Sequence, residues 1–186
     1  MTVNFKSELH PEMNSFLVRL QKALENLPNN PKPECEGFYL AYYNALKNTL
    51  TVEKIGIVSV IKEFKYLQFA CKKLTQTLFF GAMRSKEFEN NDLEQYPGSF
   101  IINTEFGPFG VAVSGHDSMI DEAISVLWLI AKRIIEQNLK HKGYRIEDFL
   151  YDISIEAKRI QKEFAPDNEW ISKISIQMVI DSGGKY

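Results

Sequence analysis

A short polar segment in the second half of the chain could hold an anion. Ser114, Gly115, His116 and Asp117 follow an apolar run, and a helix is predicted to begin directly after them. A strand-to-helix junction can expose backbone N–H groups at the positive end of the helix, where a carboxylate or phosphate would be held. The same residues also suit a tight turn in which Asp117 or Ser118 caps the helix. The two interpretations are compatible, and both stay open at this point.

Two adjacent carboxylates, Asp121 and Glu122, lie near the start of the same predicted helix. Neighbouring helical positions point about 100° apart, so these side chains do not converge on one reacting atom as an acid–base pair would. We expect them to complement the positive end of the helix instead. The sequence has no GxSxG, P-loop, GxGxxG or HExxH motif, and its cysteines, Cys35 and Cys71, form no zinc-ligand pattern. An enzyme with a familiar catalytic motif is therefore not expected.

The predicted helix over residues 62–80 has two distinct faces. One narrow apolar stripe is expected to face the core: Phe64, Leu67, Cys71, Leu74 and Leu78. The other side combines ammonium groups with aromatic rings: Lys62, Lys65, Lys72 and Lys73 with Tyr66, Phe69 and Phe80. Such a face suits a flat anionic ligand or a protein interface. It also suits a helix buried on two sides, with the lysine stems lying over the rings.

The elements that would position these groups follow from the apolar periodicity. A helix is predicted over residues 12–27, before a proline-rich loop at 28–33. Aromatic residues predict two strands around 44–48, although a helix over 39–46 is an alternative. The apolar run 55–61 is predicted to be a buried strand.

The second half of the chain is predicted to contain a hairpin, two helices and a strand. The hairpin strands are expected at 98–103 and 109–114. One helix begins at Ser118 with the form of a capping box, and another covers about 146–164. Isoleucine and methionine alternate with polar residues over 174–180, which predicts a final strand. The fold class is therefore α+β.

A series of short motifs runs through the middle of the chain: the strand pair 38–53, Lys72-Lys73, Phe80-Gly81 with Ser85, Pro97-Gly98-Ser99-Phe100-Ile101, Val113-Ser114-Gly115 and Asp121-Glu122. Their order resembles that of the GlcG/HbpS-like family, also called the haem-degrading domain family. The resemblance covers about residues 36–140, and its most specific part runs from Gly110 to Gly115 and continues with Asp121-Glu122-Ala123. It implies a profilin-like antiparallel sheet flanked by helices, to which the sequence adds a C-terminal helix and strand.

The function that we predict is a non-enzymatic module that binds a small ligand, and the resemblance implies haem or another tetrapyrrole as its cofactor. The site would lie between residues 72–85 and 114–116. Its ligand-binding residues would be Lys72, Lys73, Phe80, Arg84, Ser85, Ser114, Gly115 and His116. His116 would ligate the haem iron, and the alternative is a solvated histidine in a turn.

Composition limits the remaining possibilities. The 186 residues carry a formal charge of −2 and predict one domain, divided into 1–33, a family-like core at 36–140 and an extension at 145–186. No second basic stripe occurs, so nucleic acid is not an expected partner. No apolar run is long enough to span a membrane and no signal peptide is recognised, so a cytoplasmic location is expected by default.

Two other functions stay open beside ligand binding. One is a protein-interaction or assembly module, expected to be a homo-oligomer, that uses an interaction face formed by Lys62, Lys65, Tyr66 and Phe69. The other is a small-molecule enzyme whose acids and bases come from scattered positions.

Overall fold

The computed structural model describes residues 2–4, 11–32, 34–90, 92, 95–104, 107–138 and 145–184, with the backbone alone at 2–4 and 138. The elements follow one another as β1 (Thr2–Asn4), α1 (Pro11–Glu25), β2 (Gly37–Asn44), β3 (Thr49–Gly56), α2 (Val60–Phe80), a short 3₁₀ helix (Ser85–Phe88), β4 (Ser99–Thr104), β5 (Gly107–Ser114), α3 (Ser118–Asn138), α4 (Ile146–Phe164) and α5 (Trp170–Asp181).

The described strands form one sheet. Four of them are antiparallel in the order β3-β2-β5-β4, and β1 pairs in parallel with β3. This confirms the α+β prediction of an antiparallel sheet flanked by helices, and it confirms both predicted hairpins. The alternative helix over 39–46 is wrong, because Tyr39 and Ala41 point to one face of β2 with the two-residue period of a strand and pack into the core there.

The chain divides into two compact units. The first comprises Met1–Glu8 and Glu34–Ser125, and it contains the sheet and α2. The second comprises Leu9–Pro33 and Val126–Tyr186, and it contains α1, α4 and α5. Helix α3 begins in the first unit and ends in the second. The predicted single domain stays a prediction, and the divisions predicted within it differ from these units.

One hydrophobic cluster of the first unit lies between α2 and the sheet. Its buried members are Tyr39, Ala41, Leu50, Val52, Val58, Ala70, Leu74 and Ala112. The strand residues among them come from alternate positions, whereas Ala70 and Leu74 are one helical turn apart. The two-residue period of the strands and the helical period of α2 are both visible in the sequence, and the residues that carry them pack together in this cluster.

The buried face of α2 is broader than the predicted stripe: Leu67, Cys71 and Leu78 pack against the core as predicted, but Lys73 is buried as well. Leu74 is fully buried, but Phe64, which belongs to the same predicted stripe, is 73% exposed. The residues buried along the helix are Ala70, Lys73, Leu74 and Thr77. Lys73 was therefore placed on the wrong face by the sequence analysis. Its ammonium group has buried partners, and the hydrophobic period alone carries no information about them.

The apolar run 55–61 does not form a buried strand, so that prediction is wrong. Strand β3 ends at Gly56, whose φ of 70° lies in the left-handed region that glycine adopts without strain. Val58 is buried, but Ile57 is exposed. The N–H groups of Lys62 and Glu63 donate to the Ser59 carbonyl, which starts α2 within the apolar run. Large apolar side chains are thereby left at the exposed beginning of the helix.

The second unit contains the correctly predicted α1 and α4, but the predicted C-terminal strand at 174–180 is wrong. Helix α5 covers that segment, and its buried residues recur at helical spacing: Ile171, Ile174, Ser175, Met178 and Val179. Ser175 misled the prediction, because a polar residue in an alternating pattern is assigned to the solvent side. Its hydroxyl donates to the Ser172 carbonyl at 2.9 Å, which satisfies it on a buried face.

Replacing Leu74 by alanine is expected to lower the free energy of unfolding by about 2–5 kcal/mol, because a buried side chain leaves a cavity. The matched control is Phe64→Ala, which should change it by about 0.5 kcal/mol or less, since that ring is exposed. Urea unfolding of both variants measures the difference. Equal losses would contradict the observed rotation of α2.

Candidate functional site

A buried ion pair joins α2 to the beginning of α3. The Lys73 ammonium donates to Asp121 Oδ2 at 2.8 Å and to the Val113 carbonyl at 2.9 Å. The side chains of Lys73 and Asp121 are 5% and 3% exposed. The other carboxylate oxygen of Asp121 accepts the His116 N–H at 2.9 Å. This carboxylate therefore links the helix α2, the end of β5 and the helix α3.

The next residue of α3 after Asp121, Glu122, forms a second buried ion pair. Arg84 Nε and Nη2 donate to Glu122 Oε1 at 3.2 and 2.6 Å, and the Glu122 side chain is fully buried. Arg84 forms an antiparallel bridge with Phe100 of β4, and the Ile101 N–H donates to the Met83 carbonyl at 2.8 Å. The two carboxylates diverge to different cations, as adjacent helical positions require. Their main role is to hold buried cations, which the sequence analysis did not predict.

Gly98 makes room for the Lys73 ammonium. Its φ is 138°, and a β carbon at this position would lie 2.5 Å from Lys73 Nζ. The Gly98 carbonyl accepts from the Val113 N–H and from the Ser125 hydroxyl, both at 2.8 Å. Glycine is therefore needed here for both conformation and space.

The junction at 114–118 is a capped helix start. The Asp117 carboxylate accepts the Met119 N–H at 3.1 Å, and the Asp121 N–H donates to the Asp117 carbonyl. This confirms the capping interpretation, with Asp117 as the capping residue. Gly115 is required for packing, since a β carbon there would lie 2.6 Å from the β carbon of Phe38. An anion-binding role for this junction stays a prediction.

His116 is buried rather than solvated. The residue is 5% exposed, and the centroid of its ring lies 5.8 Å from the centroid of the Phe38 ring. The alternative of a solvated turn histidine is therefore wrong. Ligation of haem iron by His116 stays a prediction.

The structure brings together most of the predicted ligand-binding residues. We call the buried group around the two ion pairs the polar layer; it contains Lys73, Arg84, Ser85, Gly98, Ser99, Ser114, Gly115, His116, Asp121 and Glu122. Ser85 Oγ accepts the Ser99 N–H at 3.0 Å within it. Lys72 lies half-buried on α2. Phe80 lies in an exposed aromatic group, where its ring contacts those of Phe79 and Phe88 at 5.4 and 5.0 Å.

The predicted interaction face is only partly a surface. Lys62 and Lys65 are exposed, and Lys65 Nζ lies 5.6 Å from the centroid of the Phe69 ring. Phe69 is half-buried against Tyr96. Tyr66 packs against the core, and burial raises the pKa of its hydroxyl. The face therefore has exposed lysines above rings that contribute to packing.

A polar group fixes the beginning of α2 on the sheet side. The Glu63 carboxylate accepts from Lys54 Nζ and from the Tyr39 hydroxyl, both at 2.8 Å. These bonds, with the bond from Lys54 as the larger cause, hold the pKa of Glu63 below its usual value. Burial and the same carboxylate raise the pKa of Tyr39 to about 12. The Glu63 carboxylate therefore already has two hydrogen-bond donors within the fold.

The feature that sequence reasoning missed is the outer face of α2, which we define as Val60, Ile61, Phe64 and Phe79. Ile61 is 94% exposed and Phe79 is 85% exposed. The apolar run 55–61 carried a signal for this face. Strand β3 ends at Gly56, and the residues of the run that remain are too few to form a buried strand of their own. Large apolar side chains grouped on one exposed helix face are typical of an interaction site.

Within the described ranges, no group of three or more His, Cys, Asp or Glu side chains is placed to hold a metal ion. Among the helices that the structure describes, none is both long and apolar enough to cross a membrane. Comparisons of the chain with protein-family models, curated proteins and solved structures find no match.

Removing one partner of a buried ion pair leaves an uncompensated charge. Glu122→Gln is therefore expected to lower the free energy of unfolding by about 3–5 kcal/mol. The control is Glu136→Gln, which breaks a surface pair with Lys132 and should cost about 1 kcal/mol or less. Urea unfolding compares the two variants, and equal effects would show that the Arg84–Glu122 pair does not stabilise the fold as a buried pair should.

Proposed function

We propose that this chain is a protein-interaction and assembly module that makes contact through the outer face of α2. The observation that carries the proposal is the exposure of large apolar side chains along this face, where Val60, Ile61 and Phe79 are each at least 85% exposed. Single exposed apolar residues are ordinary, but several on one helix face favour a binding surface.

The lysines beside this face support the same function. Lys62 and Lys65 are exposed at the beginning of α2, next to Ile61 and Phe64. An apolar centre with charged residues at its rim is the usual composition of a protein interface. The sequence predicts an interaction face on this helix, and the proposed contact surface includes the lysines of that face but has its apolar centre on the outer face.

The test compares proteins retained by the immobilised chain and by two variants. We expect Ile61→Asp to lose partners that the parent retains, because a carboxylate would be buried at the contact. The control, Leu46→Asp, changes another exposed apolar residue, which lies in the turn between β2 and β3, and should lose none of them. Quantitative mass spectrometry provides the readout, and an untagged copy of the chain is included as a possible partner.

Equal retention by the parent and by Ile61→Asp would contradict the proposal. Equal losses in both variants would contradict it too, because the effect would then not depend on α2. Circular dichroism and thermal unfolding check that each variant is folded, which is expected because both positions are exposed.

A small-ligand function, for haem or another tetrapyrrole, is the second candidate. It is favoured by the convergence of Lys73, Arg84, Ser85 and His116 in the polar layer, together with the family resemblance. The described arrangement does not itself fit a haem, since His116 packs against Phe38 and both cations contact carboxylates of the chain. Binding would require the layer to open.

A hemin titration tests this second function. If the chain binds haem, hemin should shift the Soret band with the parent chain. The shift should be lost with His116→Ala, because the imidazole is the predicted iron ligand. The control is His116→Ala checked for native secondary structure by circular dichroism. No shift with the parent, or an identical shift with the variant, would remove the iron-ligand prediction.

A further inference from the structure

We propose that the occupant of the outer face of α2 is a second copy of this chain, packed antiparallel to the first about a two-fold axis. This inference rests on the proposed function and names its partner. The apolar side chains of the outer face and the different charges at the two ends of the helix support this pairing.

The outer face has an apolar group at each end. Ile61 and Phe79 are separated by about five helical turns and so point to the same side of α2, about 27 Å apart. Phe64 lies one turn from Ile61, whereas Phe79 stacks edge-on with Phe80. Between the two groups lie Gln68 and Thr75, which are exposed, and Lys72, which is half-buried. One long helix surface therefore ends in two separate hydrophobic contacts.

The charges beside the two groups are opposite. Lys62 and Lys65 are exposed at the first end, where Glu63 is already held by Lys54 and Tyr39. Glu87 and Glu89 are exposed at the other end, on either side of Phe88, whose ring contacts Phe80. The first end of the outer face is thus basic and the other end is acidic.

The cation beside these glutamates is less exposed than they are. Lys86 is half-buried, and its ammonium lies 3.5 Å from the Met119 sulfur. Arg84 is buried with Glu122. The acidic character of this end is therefore presented outward.

An antiparallel pair brings unlike ends together. A two-fold axis across the middle of α2 places Ile61 of one copy against Phe79 of the other, and the reverse contact follows by symmetry. Lys62 and Phe80 are also about five turns apart, so they lie on one flank of the helix. Lys62 of one copy therefore faces the Phe80 end of the second copy, with its Glu89. A parallel pair would instead place lysine against lysine, which is unfavourable.

The test measures self-association of the purified full chain by sedimentation velocity over a range of concentrations. The parent is expected to form a dimer, and Ile61→Asp and Phe79→Asp should each shift it to monomer. Lys62→Glu and Glu89→Lys should each raise the dimer Kd about tenfold, because each contact occurs twice in a two-fold dimer. The double variant Lys62→Glu/Glu89→Lys should return the Kd to near the parent value.

Glu89 is chosen because Glu87 has a role within the fold, where it accepts the N–H groups of Met83 and Arg84. Leu46→Asp is the matched control and should leave the Kd unchanged. A monomeric parent, a dimer unaffected by Ile61→Asp, or a double variant weaker than both single variants would each overturn the antiparallel pairing.

These outcomes separate the failure of this inference from failure of the proposed function. A monomeric parent that still loses partners on Ile61→Asp rejects the second copy but leaves the interaction module in place. If Ile61→Asp changes neither self-association nor partner retention, the second-copy inference and the proposed function are both rejected. As a direct check of register, oxidation of Ile61→Cys/Phe79→Cys should give a covalent dimer, whereas the parent, with Cys35 and Cys71, should not.

Discussion

An ammonium group on the sheet-facing side of a helix needs an anion and acceptors beside it, and this requirement organises the first unit. Lys73 meets it with Asp121 and the Val113 carbonyl. The ion pair fixes the rotation of α2, because turning the helix by one position would withdraw the lysine from its partners. The same rotation buries Leu74 and points Phe64, Ile61 and Phe79 outward. The inner ion pair and the exposed outer face are therefore two consequences of one orientation.

Several residues that look functional in the sequence serve this arrangement. Gly98 leaves space for the ammonium, and Gly115 allows the start of α3 to approach Phe38. Asp117 caps α3 and thereby places Asp121 and Glu122 at the point where the two cations arrive. Short motifs of glycine, serine and carboxylate can thus arise from the packing of buried charges as well as from a ligand.

The sequence predicted the elements better than their orientations. The alternation of β2 and the turn at residues 44–48 indicated the hairpin, because strand period and turn residues are local properties. The rotation of α2 depended on Asp121, which lies far along the chain, so Lys73 could not be placed from the helix alone. The sequence did contain a signal in Asp121 and Glu122. These carboxylates are followed by apolar Ala123 and Ile124, and carboxylates that are buried beside apolar residues need cationic partners. Ser175 shows the converse error, since a local hydroxyl bond made a polar residue compatible with burial in α5.

The two candidate functions place opposite demands on this structure. A ligand in the polar layer would have to displace a carboxylate from Lys73 or Arg84, and separating a buried pair costs about 3–5 kcal/mol unless the ligand replaces the lost bonds. Contact through the outer face requires no such rearrangement, because Ile61 and Phe79 are already exposed. Burying those side chains against a partner is favourable by about 25 cal/mol per Å² of apolar surface, before the cost of association. The arrangement that holds the polar layer closed is also the one that presents the outer face, and this places assembly ahead of ligand binding.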